Sequence, residues 1–178
     1  MTAPVYVEFS SRVGVRLTGM LHEPDNQVRR NVCVLLLSPG VKGRVGPHRL
    51  YLKLAAGLVS FGYHVLRFDF TGLGDADGDL AEGVLADVYN SIQSGRYTDD
   101  ARAAMDWCER TTGITQFVAS GLCGGSITGL HAAAVDRRVR ALLGLGIPVA
   151  FEGGPEDWRR QLTRGQLGRL RAGYFRRL

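Results

Sequence analysis

A chain of 178 residues with 45% apolar content is long enough, and apolar enough, to bury the core of one domain. Its formal charge of +5 is unevenly spread: residues 149–178 hold seven Arg against Glu152, Glu156 and Asp157, which leaves +1 for everything before them. The basicity belongs to the tail, and with no aromatic-interleaved basic patch and no zinc-finger spacing it argues against nucleic-acid binding.

Residues 4–10 (PVYVEFS) alternate like a half-exposed strand, and residues 14–22 (GVRLTGMLH) repeat the pattern after a polar turn, which predicts an antiparallel opening hairpin. Asn31–Leu37 is a continuous apolar run closed by Ser38-Pro39-Gly40, as expected of a parallel strand covered on both faces. Residues 47–61 predict a helix with Leu50, Leu54, Leu58 and Phe61 inward and Gly62 at its end. Residues 63–70 predict a second buried strand, followed by the Gly/Asp-rich turn Thr71–Asp79 and a polar stretch. Thr98–Thr112 predicts a helix with Ala101, Met105 and Cys108 inward; strand Gln116–Ser120, helix Gly125–Val135 and strand Val139–Ile147 complete the regular part. Strands alternating with helices of this length imply right-handed βαβ units, so the expected class is α/β, a mostly parallel sheet with an antiparallel N-terminal hairpin.

Three cysteines, Cys33, Cys108 and Cys123, are an odd number without CxxC spacing. That speaks against a disulfide framework and a zinc site, and fits a reducing cytoplasm. No N-terminal signal pattern and no membrane-length apolar window occurs, so a soluble, untargeted chain is expected.

Phe117–Gly125 (FVASGLCGG) runs from a predicted strand straight into a helix and matches G-x-S-x-G with Cys123 in the serine position. A residue at the apex of so sharp a turn requires small neighbours two before and two after it, which Gly121 and Gly125 supply. The helix behind Cys123 offers unpaired N–H groups and a positive dipole end, which favour a thiolate and a developing oxyanion. The Gly124 N–H is one candidate oxyanion donor, and the loop Ser38–Gly43 supplies the second through the Val41 N–H, beside Gly40. The plainer alternative is that Cys123 is a small buried filler in a Gly-rich turn.

With Pro47-His48-Arg49 before a helix, FDFTGLGDADGD after the fourth strand and GLCGG at the turn, the chain resembles the α/β-hydrolase superfamily along nearly its whole length. Within it, Arg44–Arg49 (RVGPHR), Val65–Asp79 (VLRFDFTGLGDADGD) and Gly121–Cys123 (GLC) look like the RVGSHR, RFDYRGMGDSEGD and GLC patterns of hydrolases associated with exosortase systems. The resemblance implies an eight-stranded sheet, metal-free hydrolysis of an acyl ester or thioester without a cofactor, and a variable lid after the sixth strand. It also implies that Arg usually stands where this chain has Thr71, so that the turn there is expected to be looser.

In this superfamily the nucleophile is followed along the chain by the acid and then the histidine, on loops after later strands, whereas this sequence ends shortly after the sixth. The expectation is therefore a partial hydrolase core over residues 1–148, truncated before its acid and histidine, and the start of a lid over residues 149–178. Of the histidines present, His131 lies eight residues along the next helix, roughly 12 Å of rise from Cys123, too far to serve as base. His22 and His64 read as structural. His48 is the exception, because its loop lies at the carboxyl edge of the sheet beside the turn, which makes it a candidate active-site residue.

The acids Asp69, Asp75, Asp77 and Asp79 lack the spacing of a calcium loop and read as solvated turn acids rather than a metal site. Gly40–Arg44 is a weak candidate anion loop. In the tail Leu167, Leu170, Tyr174 and Leu178 form an amphipathic stripe, read as the opening helix of the lid in preference to a membrane-surface helix. Val139–Ile147 carries the residues of an interior strand but becomes the last one in the sheet, so it is expected to pair with another copy of the chain. The functional expectation is a Cys123 acyl hydrolase with a small-molecule substrate, weak or inactive as it stands. The alternative is a non-catalytic module that binds a partner through its open sheet edge or basic tail.

Overall fold

The alternating residues at the start of the chain fold as an antiparallel ladder, β1 (Val5–Ser10) against β2 (Arg16–His22), with Val5 opposite Leu21 and Ser10 opposite Arg16. Val7, Phe9, Leu17 and Leu21 face the core, while Val5, Tyr6 and Glu8 face outward, the arrangement that alternation requires. A computed structural model describes residues 3–25, 29–80 and 85–147. The amphipathic tail expected after residue 148 lies outside them.

Four parallel strands follow: β3 (Cys33–Leu37), β4 (His64–Phe68), β5 (Phe117–Leu122) and β6 (Val139–Leu145). Among the described residues they make, with the hairpin, one six-stranded sheet in the order β1-β2-β4-β3-β5-β6. Every residue of β3 and β4 is buried, because helices cover both faces of the sheet there. Helix α1 (Leu50–Ser60) covers one face, packing Tyr51, Ala55 and Val59 on Val34, Leu36 and Val65. Helices α3 (Thr98–Thr112) and α4 (Gly124–Val135) serve the other, where Ala101, Met105, Cys108 and Ala132 join Leu35, Leu37, Leu66 and Phe68.

Two elements depart from the sequence expectation. The helix predicted over 47–61 begins at Leu50, because His48 and Arg49 adopt left-handed backbone (φ 50° and 59°) in a single 3-10 turn, Pro47–Arg49. Its buried stripe is also shifted by one residue, to Tyr51, Ala55 and Val59, while Leu50, Leu54 and Leu58 flank it and Phe61 is 68% exposed. Both stripes have helical spacing; the tyrosine is inward because its hydroxyl finds partners in the sheet. The second departure is α2 (Leu85–Gln93), a helix inside the stretch that reads as polar, held by Val88 and Ile92 one turn apart.

The turn after β4 is not left loose by the absence of an arginine at Thr71. Buried Asp100 of α3 accepts hydrogen bonds from the Thr71 N–H (2.8 Å) and the Thr71 hydroxyl (3.1 Å). Asp69 ties this turn to the loop after β3: it accepts from the Arg44 N–H and guanidinium and from the Asp75 N–H (3.1 Å). A side chain on Gly74 would overlap that carboxylate, its Cβ lying 2.2 Å from an Asp69 oxygen. Three of the four turn acids are ion-paired, Asp69 and Asp75 with Arg44, and Asp77 with Arg16.

At the other side of β4, buried Arg67 donates from Nε to Nε2 of His22 (2.9 Å). Only a neutral imidazole can accept that bond, and burial together with the Arg67 charge holds the His22 pKa down to about 4. Between the ordinary histidine value near 6.5 and about 4 the unfolded chain therefore binds a proton that the folded chain does not. Stability rises with pH in that window and is lost as the pH falls through it, by about 1–2 kcal/mol once the partial exposure of His22 is discounted. His22→Gln keeps an acceptor for Arg67 but does not titrate, so urea melts from pH 7 to 4 should show a shallower loss than wild type. Identical slopes would mean that His22 is not the group responsible.

Candidate active site

The strand-to-helix turn between β5 and α4 holds Cys123 at φ 54° and ψ −116°. For a non-glycine residue this is strained backbone, costing on the order of 1–3 kcal/mol, and it persists because its surroundings fix it. The Cys123 N–H donates to Leu145 O of β6 (2.9 Å), and its carbonyl accepts from Ser126 N–H (3.0 Å) and Ile127 N–H (3.3 Å), the first bonds of α4. Its side chain is partly exposed, whereas Cys33 and Cys108 are buried in the core with their sulfurs 3.8 Å apart.

The glycines around it answer measurable contacts. A Cβ on Gly121 would lie 2.4 Å from Gly125 C, and one on Gly125 would lie 2.2 Å from Leu37 O. Strand β5, helix α4 and the end of β3 therefore touch backbone to backbone. Gly124 meets the loop after β3 in the same way, since its Cβ would lie 2.9 Å from Gly40 Cα and 3.0 Å from Gly40 N. This brings Gly40 and Gly124 together. The Gly124 N–H, first in its helix, has no intrahelical acceptor. In the turn closed by Lys42 N–H to Pro39 O (3.2 Å), neither the Gly40 nor the Val41 N–H finds a backbone acceptor among the described residues. Gly40 takes φ +64°, and Val41 is partly buried against the main core.

Residues that pattern reasoning passed over stand around this point. Tyr89 of α2 packs over Gly40, its ring 3.2 Å from where a Cβ would be, and Ile92 stands equally close to Gly124. Tyr51 is fully buried; its hydroxyl donates to Leu37 O (2.7 Å) and accepts from Leu122 N–H (2.9 Å), at the roots of both loops. Ser126 does likewise on the other side of β5. The spacing of Leu85, Val88, Tyr89 and Ile92 is the local signal for α2; nothing local marked the two hydroxyls.

His48 is exposed on its 3-10 turn and lines an open pocket of about 550 Å³ with Lys42, Arg44, Asp69 and Asp75; Cys123 does not line it. The Arg44 guanidinium is engaged by Asp69 and Asp75, so one of the two cations of the Gly40–Arg44 loop is already neutralised. His131 is held away from the turn, its Nε2 2.8 Å from Gln93 O. Among the described residues the Cys123 thiol has no hydrogen-bond partner, and no helix is long and apolar enough to cross a membrane.

No family model and no curated protein sequence matches this chain. Solved structures do. An α/β serine hydrolase without a lid from Xanthomonas campestris is 22% identical with TM-score 0.65, over 86% of this chain and 65% of its own. The α/β hydrolase GrgF of a Penicillium species is 25% identical with TM-score 0.70, over 90% of this chain and 50% of its own. An α/β serine hydrolase homologue from Coxiella burnetii is 21% identical with TM-score 0.62, over 85% and 67%. The chain thus spans half to two thirds of the length of the structures it matches. The six-stranded, mostly parallel sheet, the strained turn from β5 into α4 and these neighbours together show that the chain has the α/β-hydrolase fold.

Proposed function

We propose that this chain carries the nucleophile half of an acyl hydrolase, with the Cys123 thiolate attacking the carbonyl carbon of an ester or thioester. The observation that carries the reading is the strained Cys123 turn, with Gly124 at the first position of α4 pressed against Gly40. Attack pushes the carbonyl π electrons onto oxygen, where the N–H groups of Gly124 and Val41 are the proposed donors. Collapse expels the alcohol or thiol and leaves a thioester on Cys123, which water then cleaves to the acid. A base to accept the thiol proton is not found beside Cys123 among the described residues, so acylation is expected to be slow. The narrower likeness to exosortase-associated hydrolases rests on Arg44–Arg49, Val65–Asp79 and Gly121–Cys123 and is part of this proposal, as is action in the cytoplasm without metal or cofactor.

The test is a short-acyl thioester assay, with intact-mass detection of the acyl-enzyme, on wild type and Cys123→Ala. An acyl adduct on the wild type that is absent from the variant is expected. Turnover that survives the substitution would sink the assignment.

A second reading, binding of another copy through the last strand, has its own support. Among the described residues β6 pairs only with β5, and Leu143 and Ile147 are 47% and 36% exposed. Sedimentation should then show dimers or larger species that Leu143→Lys reduces to monomer; a monomeric wild type at tens of micromolar overturns this reading.

A further inference from the structure

At the carboxyl edge of the sheet β3 ends at Leu37 and leaves for the Gly40 turn, β5 runs into Cys123, and β6 stays paired with β5 as far as Leu145. In an uninterrupted parallel ladder each backbone N–H would meet a carbonyl of the next strand. Here two side-chain hydroxyls stand in those positions. Between β3 and β5, Tyr51 donates to Leu37 O (2.7 Å) and accepts from Leu122 N–H (2.9 Å). Between β5 and β6, Ser126 donates to Gly121 O (2.5 Å) and accepts from Leu145 N–H (3.1 Å). Each joins an acceptor on one strand to a donor on its neighbour, the Ser126 hydroxyl lying also 3.3 Å from Leu145 O, and both residues are buried at 0% exposure. The residues they hold flank the turn directly: Leu122 precedes Cys123, Gly121 precedes Leu122, and Leu145 O receives the Cys123 N–H.

We propose that Tyr51 and Ser126 are positioning residues, two hydroxyl rungs that join β3 to β5 and β5 to β6 at this edge and so set the Cys123 turn against the Gly40 turn. The proposal rests on reading Cys123 as the nucleophile, though neither residue touches substrate. Burial pushes the Tyr51 phenol up to about 12, so it remains a neutral group with one proton to give and lone pairs to receive. Removing either hydroxyl leaves a buried N–H and a buried carbonyl facing each other across a gap. The strands must then close on one another or admit water, and either response moves Cys123 relative to Gly124 and Gly40.

The experiment compares Tyr51→Phe and Ser126→Ala with Val59→Ala, a core truncation on the same helix as Tyr51 but on its far turn. Thioester turnover is measured alongside the pH profile of Cys123 alkylation by iodoacetamide, followed by site-resolved mass spectrometry. A misplacement near 1 Å costs on the order of 100-fold in rate, so each hydroxyl deletion should lower kcat by about 10- to 100-fold at nearly constant KM. Each should also change the alkylation profile, whereas Val59→Ala changes neither per folded molecule. Hydroxyl-deleted proteins that match Val59→Ala in both measurements overturn the proposal. If the deletions do not fold, amide exchange on the wild type decides: slow Leu122 and Leu145 amides support the rungs, and exchange at exposed-loop rates overturns them. Should turnover survive Cys123→Ala, the nucleophile reading falls, while the alkylation profile still judges the rungs.

Discussion

Cys123→Ser should be as inactive as Cys123→Ala, although it moves the chain by one atom towards the serine hydrolases it resembles in fold. A thiol gives up its proton far more readily than a hydroxyl, and the thiolate is a strong nucleophile. A hydroxyl needs a base to remove its proton as it attacks, a contribution worth about 10²–10⁴-fold. The hydrogen-bonding histidine that provides it elsewhere is not found at Cys123: His131 is bound to Gln93 O, His48 lines a pocket without Cys123, His22 is tied to Arg67 and His64 is buried in β4. Acyl-adduct formation by the serine variant should therefore fall by at least about 10²-fold. Retained activity would reveal a base that reaches the turn, and would require a different account of proton transfer.

The second large effect is structural. Gly125→Ala puts a methyl group 2.2 Å from Leu37 O and 2.9 Å from Ser38 O, backbone atoms of a central strand that cannot yield by rotating a side chain. Helix α4 must retreat, and the Gly124 contact with Gly40 goes with it. The expected loss is about 3 kcal/mol or more, the upper range of overpacking. For a chain of this size that lowers Tm by roughly 6–12 °C. Gly57 is the contrast: it sits in α1 with nothing within 4 Å of its would-be Cβ. Gly57→Ala should raise stability by about 0.5–1 kcal/mol, because alanine loses less backbone entropy in a helix. Calorimetry on the pair separates the two roles of glycine, and equal Tm changes of the same sign would contradict both contacts.

The βαβ order, the opening hairpin and the Cys123 turn are legible in the sequence because each is a local pattern. Alternation marks β1 and β2, unbroken apolar runs mark β3 and β4, and G-L-C-G-G can satisfy a tight strand-to-helix turn where few other sequences can. Periodicity alone does not determine which of two overlapping stripes a helix turns inward. Leu50, Leu54 and Leu58 and the neighbouring Tyr51, Ala55 and Val59 both recur every four residues. The tyrosine stripe is buried because its hydroxyl satisfies two backbone groups 14 and 71 residues away, partners that no local window contains. Helix α2 is short, and its stripe Leu85, Val88, Tyr89 and Ile92 gains its place only where Tyr89 and Ile92 meet Gly40 and Gly124.

What the sequence by itself determined is the class of fold and the one residue at the apex of its sharpest turn, since both follow from hydrophobic period and from where only glycine fits. The tertiary structure decided what surrounds that residue. It brought Gly40 to Gly124, set His48 on a pocket that Cys123 does not line, engaged Arg44 with two carboxylates and set two hydroxyls between the ends of neighbouring strands. Those are contacts between segments far apart in the chain, and they are fixed only when the sheet forms, because buried polar groups must find partners wherever the fold puts them.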